Sequence, residues 1–275
     1  MKIGRFYAGS SAFTGIVKNG TVYSVGNDPL EFIFRDSVDC SHLQSLTEKI
    51  SMQTELCDVV YLPLLRPGKI ICLGLNYRSH AIEGNWQIPG EPVYFEKSSS
   101  TVIAHKTPIK IPKDIGRVDP EVELAVIIGK QCRKISPENA GRYIAGYTIL
   151  NDVTARTIQK KDQEMKYPWF RSKSMDTFCP VGPWLVTADE IGPRADLKIT
   201  LRVNGKIRQD SSTGRMIFQV PEILAQITRY LTLEPGDIIS TGTPEGIGPI
   251  LPGDTVECEI EGIGVLTNPV ISDDN

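Results

Sequence analysis

The sequence predicts an α+β protein that is mostly β: a mixed-sheet domain over residues 66–275, preceded by a small α+β domain over residues 1–65. Three observations carry this. Short apolar runs rich in β-branched residues recur along the chain and outnumber segments with helical spacing. Turn pairs separate the runs: Asn19-Gly20 and Asn204-Gly205 suit tight hairpins, and Pro235-Gly236-Asp237 and Pro252-Gly253-Asp254 each open a strand. Pro63 and Pro67-Gly68 mark the boundary between the two parts. Many short strands with few helices argue against a doubly wound sheet or a (β/α)8 barrel.

In order along the chain, Phe13 to Lys18 and Thr21 to Val25 read as the arms of the first hairpin. Ser41 to Ile50 reads as a weak helix, with Leu43, Leu46 and Ile50 near helical spacing. Lys69 to Gly74 is a buried strand. It leads into Asn76 to Glu83, a short helix within a long loop set off by Gly84, Pro89, Gly90 and Pro92. Segment 78–92 is therefore expected to act as a lid. Val93 to Phe95 is a further strand. Val122 and Leu124 to Ile128 form a buried strand that stops at Gly129. Gly141 to Leu150 is again strand-like. Asn151-Asp152 can cap a helix that begins at Val153 and runs toward Pro168. Phe170 to Asp176 reads as loop, and Trp184 to Val186 and Leu197 to Val203 as strands. Pro221 suits the first turn of a helix that buries Ile223, Leu224, Ile227 and Leu231. Ile238 to Thr241 and Thr255 to Ile260 are the last strands.

Composition excludes several classes. A net charge of −3 over 275 residues gives no long-range attraction to nucleic acid or to an acidic membrane. No run of apolar residues is long enough to span a bilayer. Met1 to Phe6 lacks the apolar block of a signal peptide. Cys40, Cys57, Cys72, Cys132, Cys179 and Cys258 have neither C-x-x-C pairs nor regular spacing, so reduced thiols in a cytoplasmic protein are expected.

The chemistry gathers around Asp119-Pro120-Glu121-Val122-Glu123. Side chains alternate along a strand, so Glu121 and Glu123 point the same way. Two adjacent carboxylates need a cation, a shared proton or open water. In isolation such a pair is ordinarily a charged strand end in solvent. On the expected helix Asp152, Arg156 and Gln159 fall at i, i+4 and i+7 and share a face.

Several separated motifs in one order resemble the fumarylacetoacetate hydrolase family over roughly residues 66 to 271. They are Gly74-Leu75-Asn76-Tyr77 with His80 and Glu83, then Phe95-Glu96-Lys97, then Glu121-Val122-Glu123-Leu124-Ala125. Gly146-Tyr147 and Asn151 to Arg156 with Gln159 follow, then Lys173-Ser174-Met175-Asp176 and Thr241-Gly242-Thr243-Pro244. The resemblance implies a β-roll, a homodimer, a divalent metal and a small 2-oxo or 2,4-dioxo acid as substrate. It implies Glu121, Glu123 and Asp152 as metal ligands. Three carboxylates make a hard, all-oxygen site that suits Mg²⁺, Mn²⁺ or Ca²⁺ better than Zn²⁺. It implies His80 and Glu83 as the catalytic pair, which an i, i+3 spacing lets Glu83 orient. Lys173 matches the lysine of the K-S-x-D motif and can meet an oxyanion; an ordinary solvated lysine is the alternative. Gln159, Thr243 and Tyr77 are candidates for substrate binding. Arg156 is expected to pair with a ligand carboxylate, and Asp176 to support the Lys173 loop. Lys97 matches a family position near the site. Ser98 and Pro120 depart from the pattern, where proline and an aromatic residue are common.

The leading expectation is a metal-dependent hydrolase that cleaves a C–C bond in a 2,4-dioxo acid of the acylpyruvate type. A stabilised enolate would leave, and water activated by His80 and Glu83 would attack. The same site can instead serve decarboxylation or keto–enol isomerisation of oxaloacetate-like or hydroxymuconate-like acids. A third reading is a non-catalytic metabolite-binding protein with a structural Ca²⁺. His42 and His105 are expected to be structural or exposed.

Overall fold

The computed structural model describes residues 1–28, 30, 50 and 52–273. The expected helix over 41–50, apart from Ile50, and with it His42, lies outside the described residues. The chain begins with β1 (Lys2–Ala8), β2 (Ser11–Lys18), β3 (Thr21–Gly26), β4 (Gln53–Glu55) and β5 (Val60–Tyr61). Then come β6 (Ile70–Gly74), α1 (Arg78–Glu83), β7 (Val93–Lys97), β8 (Val102–Ile103), β9 (Ile109–Pro112), β10 (Val118–Asp119) and β11 (Val122–Ile128). The middle holds β12 (Ile144–Asn151), β13 (Thr154–Ala155), α2 (Arg156–Glu164), α3 (Phe170–Lys173) and β14 (Cys179–Thr187). The chain closes with β15 (Lys198–Val203), β16 (Lys206–Ser212), α4 (Val220–Tyr230), β17 (Ile238–Ser240), β18 (Thr255–Ile260) and β19 (Gly264–Asp273).

These strands build the mostly β, mixed-sheet architecture that the patterning predicts. One sheet runs β4-β3-β2-β1-β14-β12-β11-β17-β6-β7, with β5 on β1 and β8 on β14. A second runs β16-β15-β18-β19-β9, and β10 pairs with β13. The first sheet is mixed: β17 lies parallel to β6 and antiparallel to β11. Both hairpin turns close in the left-handed conformation their Asn-Gly pairs favour, with φ of 51° and 79° at Asn19 and Gly20 and 52° and 75° at Asn204 and Gly205. β1 pairs with β14, Ile3 opposite Leu185, so the first strands continue the sheet that holds β12 and β11.

β11 sits near the middle of this sheet and is buried on both faces, which explains its unbroken apolar run. Leu124, Val126 and Ile128 face a core shared with Leu201, Val256 and Leu266 of the second sheet and Ile223, Leu224 and Ile227 of α4. Ala125 and Ile127 face a second core with Ile3, Ile16, Ile70 and Ile238. Each large aliphatic side chain buried this way contributes about 1.5–3 kcal/mol. Glu121 and Glu123 share the parity of Ala125 and Ile127, so the strand's alternation aims both carboxylates to one side.

Three local expectations are corrected. The helix after Asn151-Asp152 begins at Arg156, because Thr154-Ala155 first pairs with Val118-Asp119 as β13. Asp152 is therefore on a turn between strands, and only Arg156 and Gln159 share a helix face. Phe170 to Lys173 is a short helix rather than loop. Leu231 lies past the end of α4 and is 39% exposed, while Ile223, Leu224 and Ile227 are buried.

Candidate active site

The site forms where the start of β11, the turn after β12, and α3 meet. Glu121, Glu123 and Asp152 each offer a carboxylate oxygen within 4.8 Å of the others, and all three are buried. Backbone pairing draws the acids together: Asp152 N donates to Glu121 O at 2.8 Å, and Glu121 N donates to Asn151 Oδ1 at 2.9 Å. That second bond commits the Asn151 side chain, which the sequence offers as a helix cap.

Three cations balance the three acids. Lys173 Nζ bridges Glu121 Oε2 at 2.8 Å and Asp152 Oδ2 at 2.5 Å. Lys97 Nζ donates to Asp152 Oδ1 at 2.6 Å. Arg156 pairs with Glu121, holds Asp119 Oδ2 at 2.8 Å and donates to Gln159 Oε1 at 2.5 Å. Among the described residues no cation pairs with Glu123; its Oε2 accepts from Ser240 Oγ at 2.6 Å and Gly242 N at 2.8 Å. The electrostatics differ accordingly. Burial and the Asp152 charge push the Glu123 carboxyl up to about 8, against the Ser240 hydrogen bond. Burial also acts against the Glu121 charge, but Lys173 and Arg156 outweigh it and hold that carboxyl far below its ordinary range. Burial disfavours the Lys173 ammonium, yet Asp152 and Glu121 raise it above its ordinary value.

The donor set fits a hard divalent ion. Two oxygens on one ion at 2.0–2.6 Å can be no more than about 5 Å apart, and these three satisfy that limit. Among the described residues no Cys or His joins the group, which favours Mg²⁺ or Mn²⁺ over Zn²⁺.

The second half of the site comes from α1. Asn76 anchors its start, donating to Thr241 O at 2.7 Å and accepting from Phe218 N at 2.8 Å. His80 is buried, with Nδ1 3.2 Å from Glu83 Oε2. A carboxylate only accepts, so Nδ1 carries the hydrogen and Nε2 presents the lone pair. Glu83 Oε1 in turn accepts from Gly246 N at 3.0 Å. Partial burial acts against the Glu83 charge, but His80 and the Gly246 N–H hold its carboxyl below the ordinary value. Trp86 closes edge-on over His80, ring centres 5.5 Å apart.

One cleft unites these parts. His80, Glu121, Glu123, Arg156, Gln159, Lys173 and Thr243 line it. Asp152 and Lys97 do not line it and Asp152 pairs with Lys173, which does; Glu83 likewise pairs with His80 from outside the lining. Thr243 Oγ1 donates to Val122 O at 2.9 Å. Tyr77 does not line the cleft: it is fully buried, and its hydroxyl has no partner among the described residues. His105 accepts from Thr267 N at 3.0 Å and does not line it either.

Two residues matter more than the sequence shows. Lys97, placed only near the site by its motif, is fully buried against Asp152. Asp119 is fully buried between Arg117 and Arg156. Its signal is the alternation Arg117, Asp119, Glu121, Glu123, a charged edge that continues the strand's parity.

Comparison with known proteins identifies the family. The family model described as Fumarylacetoacetate (FAA) hydrolase C-terminal matches residues 69–271. A mitochondrial oxaloacetate tautomerase of Rattus norvegicus is 43% identical over 216 residues, 76% of this chain and 68% of that protein. The crystal structure of a 5-carboxymethyl-2-hydroxymuconate delta-isomerase from Mycobacterium smegmatis superposes with a TM-score of 0.84 at 35% identity, over 99% of this chain and 100% of that one. A maleylpyruvate hydrolase from Sphingobium sp. SYK-6, solved with manganese(II) and pyruvate, superposes with a TM-score of 0.83 at 31% identity, over 99% of both chains. With the motifs, the fold and these relatives in agreement, the chain belongs to the fumarylacetoacetate hydrolase family.

Proposed function

We propose that the protein is a metal-dependent keto–enol tautomerase of a small 2-oxo dicarboxylic acid of the oxaloacetate type. The observation that carries this reading is His80, buried and oriented by Glu83, opening on the same cleft as Glu121 and Glu123. A Mg²⁺ or Mn²⁺ ion held by Glu121, Glu123 and Asp152 would supply Lewis-acid polarisation of the keto oxygen. The chain's own residues do the rest. His80 Nε2 removes a proton from the carbon beside the keto group and returns it to the other position of the enol system. Glu83 stabilises the imidazolium between those steps. Lys173 and the Gln159 amide meet the substrate's oxygens, and the backbone around Thr243 closes the wall.

Charge supports the substrate class. Glu121, Glu123 and Asp152 are matched by Lys97, Lys173 and Arg156. With Glu83 and the Arg117–Asp119 pair also counted, a divalent ion leaves the site net positive, which favours an anionic substrate. One wall of the cleft carries His80 and Trp86, both in the expected lid segment, and this wall moves aside as a keto acid enters.

C–C hydrolysis of a 2,4-dioxo acid is the second reading, supported by the likeness to the Sphingobium hydrolase. There His80 would activate water instead of moving a carbon-bound proton.

The test follows enol oxaloacetate by its absorbance and pyruvate release from an acylpyruvate, each with Mg²⁺, with Mn²⁺ and with chelator. Ion-dependent loss of the enol signal without pyruvate release is expected. Pyruvate release alone would move the assignment to hydrolysis, and ion-independence of both would sink the enzymatic reading.

A further inference from the structure

Gln209, on β16, is nearly fully buried and spans the gap between the two sheets at the start of β11. Its Oε1 accepts from Val122 N at 3.0 Å. Its Nε2 donates to Thr243 Oγ1 at 2.9 Å and to Pro244 O at 2.7 Å. Thr243 Oγ1 passes the chain on to Val122 O at 2.9 Å. Both peptide groups between Glu121 and Glu123 are thus gripped, one through its N–H and one through its carbonyl. Strand pairing does not do this alone. β17 pairs with β11 only from Ala125 to Ile127, so at Val122 the Gln209 amide stands in for a missing strand.

The same contact reaches the other half of the site. Directly after Pro244, Glu245 accepts from Ser79 of α1, and Gly246 N donates to Glu83. Gly246 has φ +100°, and a Cβ there would lie 2.0 Å from Arg208 O, so the loop rests directly on β16.

We propose that Gln209 is a positioning residue that fixes Glu121 and Glu123 relative to each other and to the 243–246 loop that holds Glu83. This rests on the reading of the three acids as ion ligands. The spacing of the two glutamates is set from outside their own strand, by a side-chain amide that never touches the ion.

The test is Mn²⁺ binding to the full chain, stripped with EDTA and titrated by the EPR signal of free Mn²⁺. Gln209→Met keeps the volume and removes every hydrogen bond. It should weaken Mn²⁺ binding about 10- to 100-fold and lower turnover. A merely structural Gln209 would lower the thermal midpoint and leave the folded protein's Mn²⁺ affinity at the parent value; that result overturns the proposal. If Gln209→Met does not fold, Thr243→Val removes only the hydroxyl of the same clamp. Weaker Mn²⁺ binding, restored in Thr243→Ser, supports the proposal, and parent affinity in Thr243→Val overturns it. Glu123→Gln is titrated in parallel. If it binds Mn²⁺ like the parent, the reading of the acids has failed, and the clamp with it. If it loses the ion while Gln209→Met keeps it, only the clamp has failed.

Discussion

The acid cluster and the His80 helix line one cleft but are held in different ways. The acids sit at the start of a central strand and on the turn after its neighbour, each buried and bound by charge-assisted hydrogen bonds from two lysines, an arginine or backbone N–H groups. The histidine sits on a six-residue helix between two left-handed residues, Leu75 and Asn85. Contacts to the 245–246 loop, the Asn76 anchor and packing hold that helix. The difference teaches a division of labour. Chelation needs oxygens that do not move, so it is built at the ends of central strands of the sheet. Proton transfer must admit and release a substrate, so its group rides on an element that can swing.

The largest expected break in this comparison is Asp152→Asn. It leaves Lys97 and Lys173 buried without their shared counter-charge, which costs about 3–5 kcal/mol. Calorimetry should show a sharply lowered melting temperature, and Mn²⁺ titration should show no tight binding.

His80→Ala should separate the two halves. Turnover should fall about 10²- to 10⁴-fold, while Mn²⁺ affinity stays at the parent value. A parallel loss of Mn²⁺ binding would show that the helix and the acids form one rigid unit.

A smaller effect is expected from pH. Burial and Asp152 raise the Glu123 carboxyl from 4.5 to about 8 in the folded protein. The folded state then binds this proton more tightly than the unfolded chain does. Stability from this group is complete below about 4.5 and is lost progressively as pH rises from there to about 8. Denaturant titrations of metal-free protein across that window should show the decline, and saturating Mg²⁺ or Mn²⁺ should remove it. A flat profile in the metal-free protein would mean that Glu123 is already ionised.

The smallest effect is in exchange kinetics. Amides of segment 78–92 should exchange faster than those of β11 and slow when a 2-oxo acid and the ion are added together. Equal protection with and without ligand would remove the swinging wall from the account.

Much of this was legible in the sequence because it is encoded locally. The Asn-Gly turns, the both-sides-buried β11, the Pro221 helix and the His80–Glu83 spacing all depend on residues within a few positions of each other. What was hidden depends on distant partners. The false helix start at Val153 arose because Thr154-Ala155 pairs with Val118-Asp119, far upstream. The same blindness hid the Lys97–Asp152 pair, since nothing near residue 97 announces an acid 55 positions later. The short helix at Phe170 has no side-chain cap to signal its start.

The pairing of β1 with β14 has a consequence for biogenesis. The first strand is made at residue 2, but its neighbour on the far side is not complete until residue 187. At about 5–20 residues per second, the emerging N-terminal meander waits roughly ten to forty seconds with Ile3 and Leu185 still unable to meet. During that interval its Ile3 and Ile16 side chains lack the core they will later join.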